Sequence, residues 1–185
     1  KGNIAVLEDT SGDGKVDKRT VFLDNIVLPR TITLVRGGIL YSDIGKLYFA
    51  EVLEGLKVGK HEIVDPTYAK GGTIEHKTNA MLYGIDNWYY NVKSSKRYQT
   101  LPLTASTPQN GTEIYRNKYW KMIRGQSDYR GQWGLSMDDY GRLFHNGNSS
   151  CAQGEYLRPG SLRKNPKSTK SHKAHSIGSH RVYPV

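Results

Sequence analysis

The feature that most constrains this chain is internal repetition. The segment His76-Lys-Thr-Asn-Ala-Met-Leu-Tyr-Gly-Ile-Asp-Asn-Trp-Tyr-Tyr90 aligns without a gap with Arg130-Gly-Gln-Trp-Gly-Leu-Ser-Met-Asp-Asp-Tyr-Gly-Arg-Leu-Phe144, at an offset of 54. Each copy has a polar start, a short apolar stretch, a turn at Asp86-Asn87 or Tyr140-Gly141, and a second stretch closing on Tyr90 or Phe144. That is the pattern of a β-hairpin. A weaker third copy, Val27 to Tyr41, lies 49 residues before the first, with Gly37-Gly38 as its turn. A second repeat relates Leu7–Phe22 to Phe49–Val64 at an offset of 42, again as strand, loop, strand. Repeating units of roughly 40 to 55 residues built from short strands mark propeller blades.

The fold expected is therefore all-β: a partial β-propeller of about three antiparallel four-stranded blades. The boundaries read as an outer half-blade over 1–26, then blades over 27–75, 76–129 and 130–185, the last with a basic loop over 158–180. Ragged ends suggest a fragment of a longer protein, because an open ring exposes strand edges. Helical repeats and a plain β-sandwich are the alternatives, and neither explains two separate gapless offsets. Composition agrees, with 13 Tyr, 20 Gly and little helical apolar spacing.

The net charge of +10 is unevenly placed. Seven bases and no acid lie from Arg158 onward (Arg158, Arg163, Lys164, Lys167, Lys170, Lys173, Arg181), which leaves +3 for residues 1 to 157. The segment reads as a long solvated loop. A nucleic-acid arm would interleave aromatic residues with its bases, and between Arg158 and Arg181 there are none, so no nucleic acid is expected as a partner. No run approaches the roughly 20 apolar residues of a membrane helix, so no transmembrane segment is expected. The first residues show no signal segment. The single Cys151 rules out an internal disulfide and reads as an incidental thiol.

Near the start, Asp9-Thr10-Ser11-Gly12-Asp13-Gly14-Lys15-Val16-Asp17 places oxygen side chains at loop positions 1, 3, 5 and 9. Gly14 sits at position 6 for the sharp turn, and Lys15 offers its backbone carbonyl at position 7. Calcium prefers six to eight oxygens in a flexible cage, so Asp9, Ser11, Asp13, Lys15 and Asp17 are the expected metal ligands. Thr20 stands where a calcium sensor would carry a bidentate Glu, which favours a structural clip. The equivalent residues of the second copy, Glu51, Leu53, Gly55 and Gly59, cannot build a cage. A plain polar turn is the other reading of the loop.

In a propeller the innermost strand of each blade lines one axial pocket, so equivalent positions face one another. His76 and Arg130 are equivalent at the offset of 54, and Asn79, Gln132 and Arg30 should converge with them. A histidine preceded by Glu75 can act as a general base, and an arginine can fork onto a carboxylate.

Glu75-His76 followed by Met81-Leu-Tyr-Gly-Ile-Asp86 resembles the Asp-His, strand, Gly-Pro-Asp pattern of soluble quinoprotein glucose dehydrogenases. Arg130-Gly-Gln-Trp-Gly-Leu135 resembles that family's Arg-Asn-Pro-Gln-Gly-Leu blade start. A fuller resemblance is to secreted propeller proteins of planctomycete, verrucomicrobial and Bacteroidetes-type bacteria, often labelled membrane-bound dehydrogenases. Their motifs appear in order from Leu7 to Arg142: Leu-Glu-Asp-Thr-x-Gly-Asp-Gly-Lys-x-Asp, Val-Leu-Pro-Arg, Glu-His-x-x-Asn, Asp-Asn-Trp and Arg-Gly-Gln-Trp-Gly-x-Ser-Met-Asp-Asp-Tyr-Gly-Arg.

The resemblance implies a six-bladed, calcium-stabilised propeller acting as an oxidoreductase on a sugar or other alcohol. His76 would be the catalytic base, Arg130 and Gln132 the contacts to pyrroloquinoline quinone (PQQ), and Glu75, Asn79 and Arg30 the substrate contacts. It also implies a periplasmic or extracellular, possibly membrane-associated, location and a cytochrome c as electron acceptor. The alternative is a non-catalytic propeller that binds a glycan or a protein partner. Gly131 and Ala80 favour it, because they stand where the sugar dehydrogenases have asparagine and arginine.

Overall fold

The computed structural model describes residues 1–127, 131–147, 150–155, 157–159, 161 and 175–177. The regular structure among them is all strand, apart from two single turns of 3₁₀ helix at Glu54–Leu56 and Ile74–His76. The chain divides into two compact units, Lys1–Lys70 and Gly71–Val185.

In the first unit, β1 (Gly2–Glu8) and β2 (Lys18–Ile26) form a two-stranded hairpin. An antiparallel meander follows, running β3 (Ile32–Val35), β4 (Gly38–Asp43), β5 (Lys46–Leu53) and β6 (Lys57–Asp65) in sheet order. Phe22 and Ile26 of the hairpin pack against Ile39, Tyr41 and Ala50 of the meander. Removing this apolar surface from water is what holds a two-stranded hairpin that could not stand alone. Tyr41 and Tyr48 are direct cross-strand partners with stacked rings 5.4 Å apart, and burial pushes the Tyr41 hydroxyl up to about 12.

In the second unit, β7 (Asn79–Tyr83), β8 (Tyr89–Val92), β9 (Lys96–Leu101), β10 (Gly111–Arg116) and β11 (Lys121–Gln126) form a five-stranded sheet in the order β10-β11-β9-β8-β7. A second sheet runs β12 (Trp133–Met137), β13 (Leu143–Gly147), β14 (Ser150–Gly154) and β15 (His175–Ser176) in chain order. Trp88, Tyr90, Val92 and Ile123 of the first sheet bury against Leu143 of the second, with Leu135 and Met137 at the margin. Among the described residues every sheet is antiparallel and none closes on itself, since each order begins and ends on a different strand. The hairpin of β10 with β11 makes the first of these sheets one strand wider than the four expected.

The 54-residue repeat holds pair by pair. Asn79↔Val92, Leu82↔Tyr90 and Tyr83↔Tyr89 recur as Trp133↔Asn146, Ser136↔Phe144 and Met137↔Leu143. The turn bonds Gly84 N→Trp88 O and Asn87 N→Gly84 O recur as Asp138 N→Arg142 O and Gly141 N→Asp138 O. The bulge early in the first strand of each hairpin also recurs, with a left-handed residue at Ala80 (φ 56°) and at Gly134 (φ 55°). No helix among the described residues is long and apolar enough to cross a membrane. Most of the basic stretch over 158–180 and Arg130 lie outside the described residues.

Candidate functional site

The residues leading into β7 and β12 meet within the second unit. His76 closes the short 3₁₀ turn, half-exposed, with its ring edge against the Trp133 indole at a centroid separation of 6.1 Å and an interplanar angle of 76°. Glu75 Oε1 lies 3.9 Å from His76 Nε2. Both side chains face water, so their attraction is weak. Asn79 Nδ2 donates to the backbone carbonyls of Lys77 and Gln132, each at 3.2 Å. The Lys93 N–H donates to the Gly131 carbonyl at 2.8 Å, and the Gln132 N–H to the Asn146 carbonyl at 3.1 Å.

His76, Asn79 and Gln132 are thus gathered at one place, together with Glu75. Arg130, between Tyr129 and Gly131 in the chain, lies outside the described residues. Arg30 belongs to the first unit, where it is half-buried and its N–H donates to Ser42 Oγ at 3.1 Å. Sequence reasoning missed Trp133, although its place beside Gln132 at the start of a repeat was a usable signal. It also missed Asn146, whose Oδ1 is buried with no hydrogen-bond partner among the described residues, and His145 beside it. Burial holds the His145 imidazole below its ordinary value of 6.5, against a smaller opposing effect from the Asn146 backbone. The folded state therefore disfavours protonated His145, and stability falls as pH drops below about 6.5.

The aspartate loop lies in the first unit, between β1 and β2. Asp9 accepts the N–H groups of Gly12 and Gly14 at 2.6 and 2.7 Å and the Ser11 hydroxyl at 3.2 Å. Asp17 takes the N–H and the hydroxyl of Thr10 at 2.9 and 2.8 Å, and Asp13 takes the Lys15 N–H at 2.9 Å. Gly12 and Gly14 both have positive φ (76° and 85°), which bends the loop back onto Asp9. These bonds, Gly14 N–H first for Asp9 and Thr10 N–H first for Asp17, hold both carboxyls below the usual range.

Among the described residues no three Asp, Glu, His or Cys side chains converge as a metal-binding group. The donor chemistry does fit a hard cation, since all the candidates are oxygens on an exposed loop. A carboxylate oxygen that accepts one hydrogen bond keeps a lone pair for a metal. Asp9, Ser11, Asp13, Asp17 and the Lys15 carbonyl are the groups that would hold calcium.

The His76 region supplies an imidazole, side-chain amides and an indole. Both amide hydrogens of Asn79 are taken by backbone carbonyls, so among the described residues Gln132 is the amide that would hold PQQ, beside the flat Trp133 indole.

A family model described as "Domain of unknown function (DUF7133)" matches residues 1–185. No curated protein and no solved structure matches the chain.

Proposed function

The chain belongs to the DUF7133 family, and from that premise we propose that it forms part of a calcium-stabilised β-propeller, an extracytoplasmic oxidoreductase acting on a sugar or other alcohol. One observation carries the reading: the segments entering β7 and β12, 54 residues apart, bring His76 to Trp133 and Asn79 to Gln132. Adjacent antiparallel sheets with matching register are what neighbouring blades require, and residues at the mouth of their first strands are where an axial pocket would form.

In this reading His76 accepts the proton of the substrate hydroxyl. Trp133 fixes the plane of the imidazole and keeps water from one side of it. Asn79 acts as a positioning residue, because its amide hydrogens are taken by two backbone carbonyls, Lys77 within the β7 entry and Gln132 across from it. The chemistry a bound PQQ supplies is acceptance of the hydride. Gln132 and Arg130 would hold it, and a cytochrome c is the proposed electron acceptor.

The spent hydrogens of Asn79 also favour a second reading, in which the propeller binds a glycan or a protein without catalysis, because Asn79 then donates nothing to a substrate.

The test is dye-linked oxidation by the full-length protein supplied with calcium and PQQ, across a panel of sugars. His76→Ala should lower kcat by about 100-fold or more while leaving ligand binding in place. Quinone-loaded protein that turns over no sugar would reject the oxidoreductase and leave the binding-only propeller.

A further inference from the structure

We propose that the turn between β12 and β13 bears a second site, for a single oxyanion on a sugar ring: the carboxylate or sulfate ester of an acidic saccharide. The turn Asp138–Arg142 sits at the opposite end of β12 from Trp133, so this site is separate from the one around His76. An open cleft of about 450 Å³ is lined there by Tyr140, Arg142, Leu157, Arg158 and Ser161. That volume is in the range of small-ligand sites, about 300 to 1,000 Å³.

Both guanidinium groups are held by one edge. Arg142 Nε donates to Asp138 Oδ2 at 2.6 Å, and its guanidinium carbon lies 5.2 Å from the centre of the Tyr140 ring. Arg158 Nε donates to the Tyr140 carbonyl at 2.7 Å. Among the described residues no acceptor takes the terminal amino groups of either one. Two guanidinium groups anchored this way are preorganised to fork onto an oxyanion. Asp138 offsets one of the two charges, so the lining suits one negative group better than a polyphosphate.

Tyr140 is 67% exposed, and its ring gives a sugar a flat surface beside those cations. The net charge of +10 adds long-range attraction for anions. A nucleic acid is the weaker fit, because between Arg158 and Arg181 there are no aromatic residues on which successive bases could stack.

The turn itself explains only part of this arrangement. The Asp138 carboxylate caps the Tyr140 and Arg142 N–H groups at 3.0 and 2.8 Å, so Asp138 and Arg142 have a structural duty. The Arg158 side chain meets that turn only at the Tyr140 carbonyl and the Tyr140 ring only at Arg142, so they are the positions to change.

Calorimetric titration of the full chain should compare oligogalacturonate, a chondroitin sulfate oligosaccharide, a neutral maltooligosaccharide of equal length and a single-stranded DNA oligonucleotide. At least one acidic saccharide should bind and the neutral one should not; binding of oligogalacturonate assigns a carboxylate, and binding of chondroitin sulfate alone, which carries both groups, assigns the sulfate ester. Arg158→Gln and Tyr140→Ala should each weaken that binding by about tenfold or more with unchanged melting curves. His76→Ala should leave it intact, which separates this site from the oxidoreductase reading. Absence of binding to both acidic saccharides overturns the proposal. Equal binding of DNA, lost in Arg158→Gln but untouched in Tyr140→Ala, overturns it as well, by reducing the cleft to unspecific charge.

Discussion

The two hairpins related by the 42-residue repeat carry an acid at the same place and use it in opposite ways. In the first, Asp9 is exposed and organises a nine-residue loop by accepting its N–H groups. In the second, the equivalent Glu51 is 4% exposed and accepts the Lys60 N–H at 3.1 Å across the strand pair. The strands there run on to Leu53↔Lys57 and turn through Glu54–Leu56, with Gly55 at φ 69°. Asp17, which closes the first loop onto Thr10, is replaced by Gly59, where a Cβ would stand 2.6 Å from Glu51 Oε2. Glycine in place of the aspartate thus leaves room for a buried carboxylate, and the repeated hairpin serves as an open polar loop in one place and as packed sheet in the other.

Exchanging the two closing residues should give the largest effect. Gly59→Asp drives a side chain and a second negative charge into Glu51 and Leu53. A loss of about 2 to 3 kcal/mol is expected from chemical denaturation. The comparison breaks if Gly59→Asp is neutral.

Calcium should produce the next largest effect. At ten times its dissociation constant, a ligand specific for the folded state stabilises by about 1.4 kcal/mol. Thermal melting with and without calcium should show that gain in the wild type, lose it in Asp13→Ala, and keep it in Glu51→Gln. A gain that survives Asp13→Ala would place the ion elsewhere.

The 54-residue hairpins offer a smaller contrast. Ala80 occupies the left-handed conformation that Gly134 adopts at the matching bulge. A left-handed non-glycine residue costs roughly 1 to 2 kcal/mol, partly offset by the greater freedom of glycine in the unfolded chain. Ala80→Gly should therefore stabilise by about 0.5 to 1 kcal/mol, read from the denaturation midpoint. The smallest effect is expected from Asp17→Gly without calcium, a shift of about 2 °C or less, because the two bonds that carboxylate accepts from Thr10 lie on an exposed loop.

Much of this contrast was legible in the sequence. The offset of 54 placed Asp86-Asn87 and Tyr140-Gly141 in the turns, and there they are, because gapless repetition preserves register and turn chemistry together. Convergence of His76 and Asn79 on the Gln132 segment followed from the same alignment. The extra edge strand β10 was harder to see, since Ile114 to Ile123 has no partner copy and its strands are separated only by the Asn117 turn. Glu51 was read only as a lost ligand. Its burial depends on the space left by Gly59 across the strand pair, which no local pattern encodes. The Tyr140 cleft escaped for a similar reason, as Arg158 reaches it from a segment whose composition signalled only a solvated loop.

The account depends on the entry to β12 being pinned beside the end of β8 through the backbone bond from the Lys93 N–H to the Gly131 carbonyl. Scalar coupling across hydrogen bonds, measured by NMR on the isotope-labelled chain, reports that contact atom to atom. A correlation linking the Lys93 amide nitrogen to the Gly131 carbonyl carbon is predicted. Its absence from a spectrum that resolves the Gly84 N–H to Trp88 carbonyl and Asp138 N–H to Arg142 carbonyl bonds would contradict the side-by-side hairpins and the site built on them.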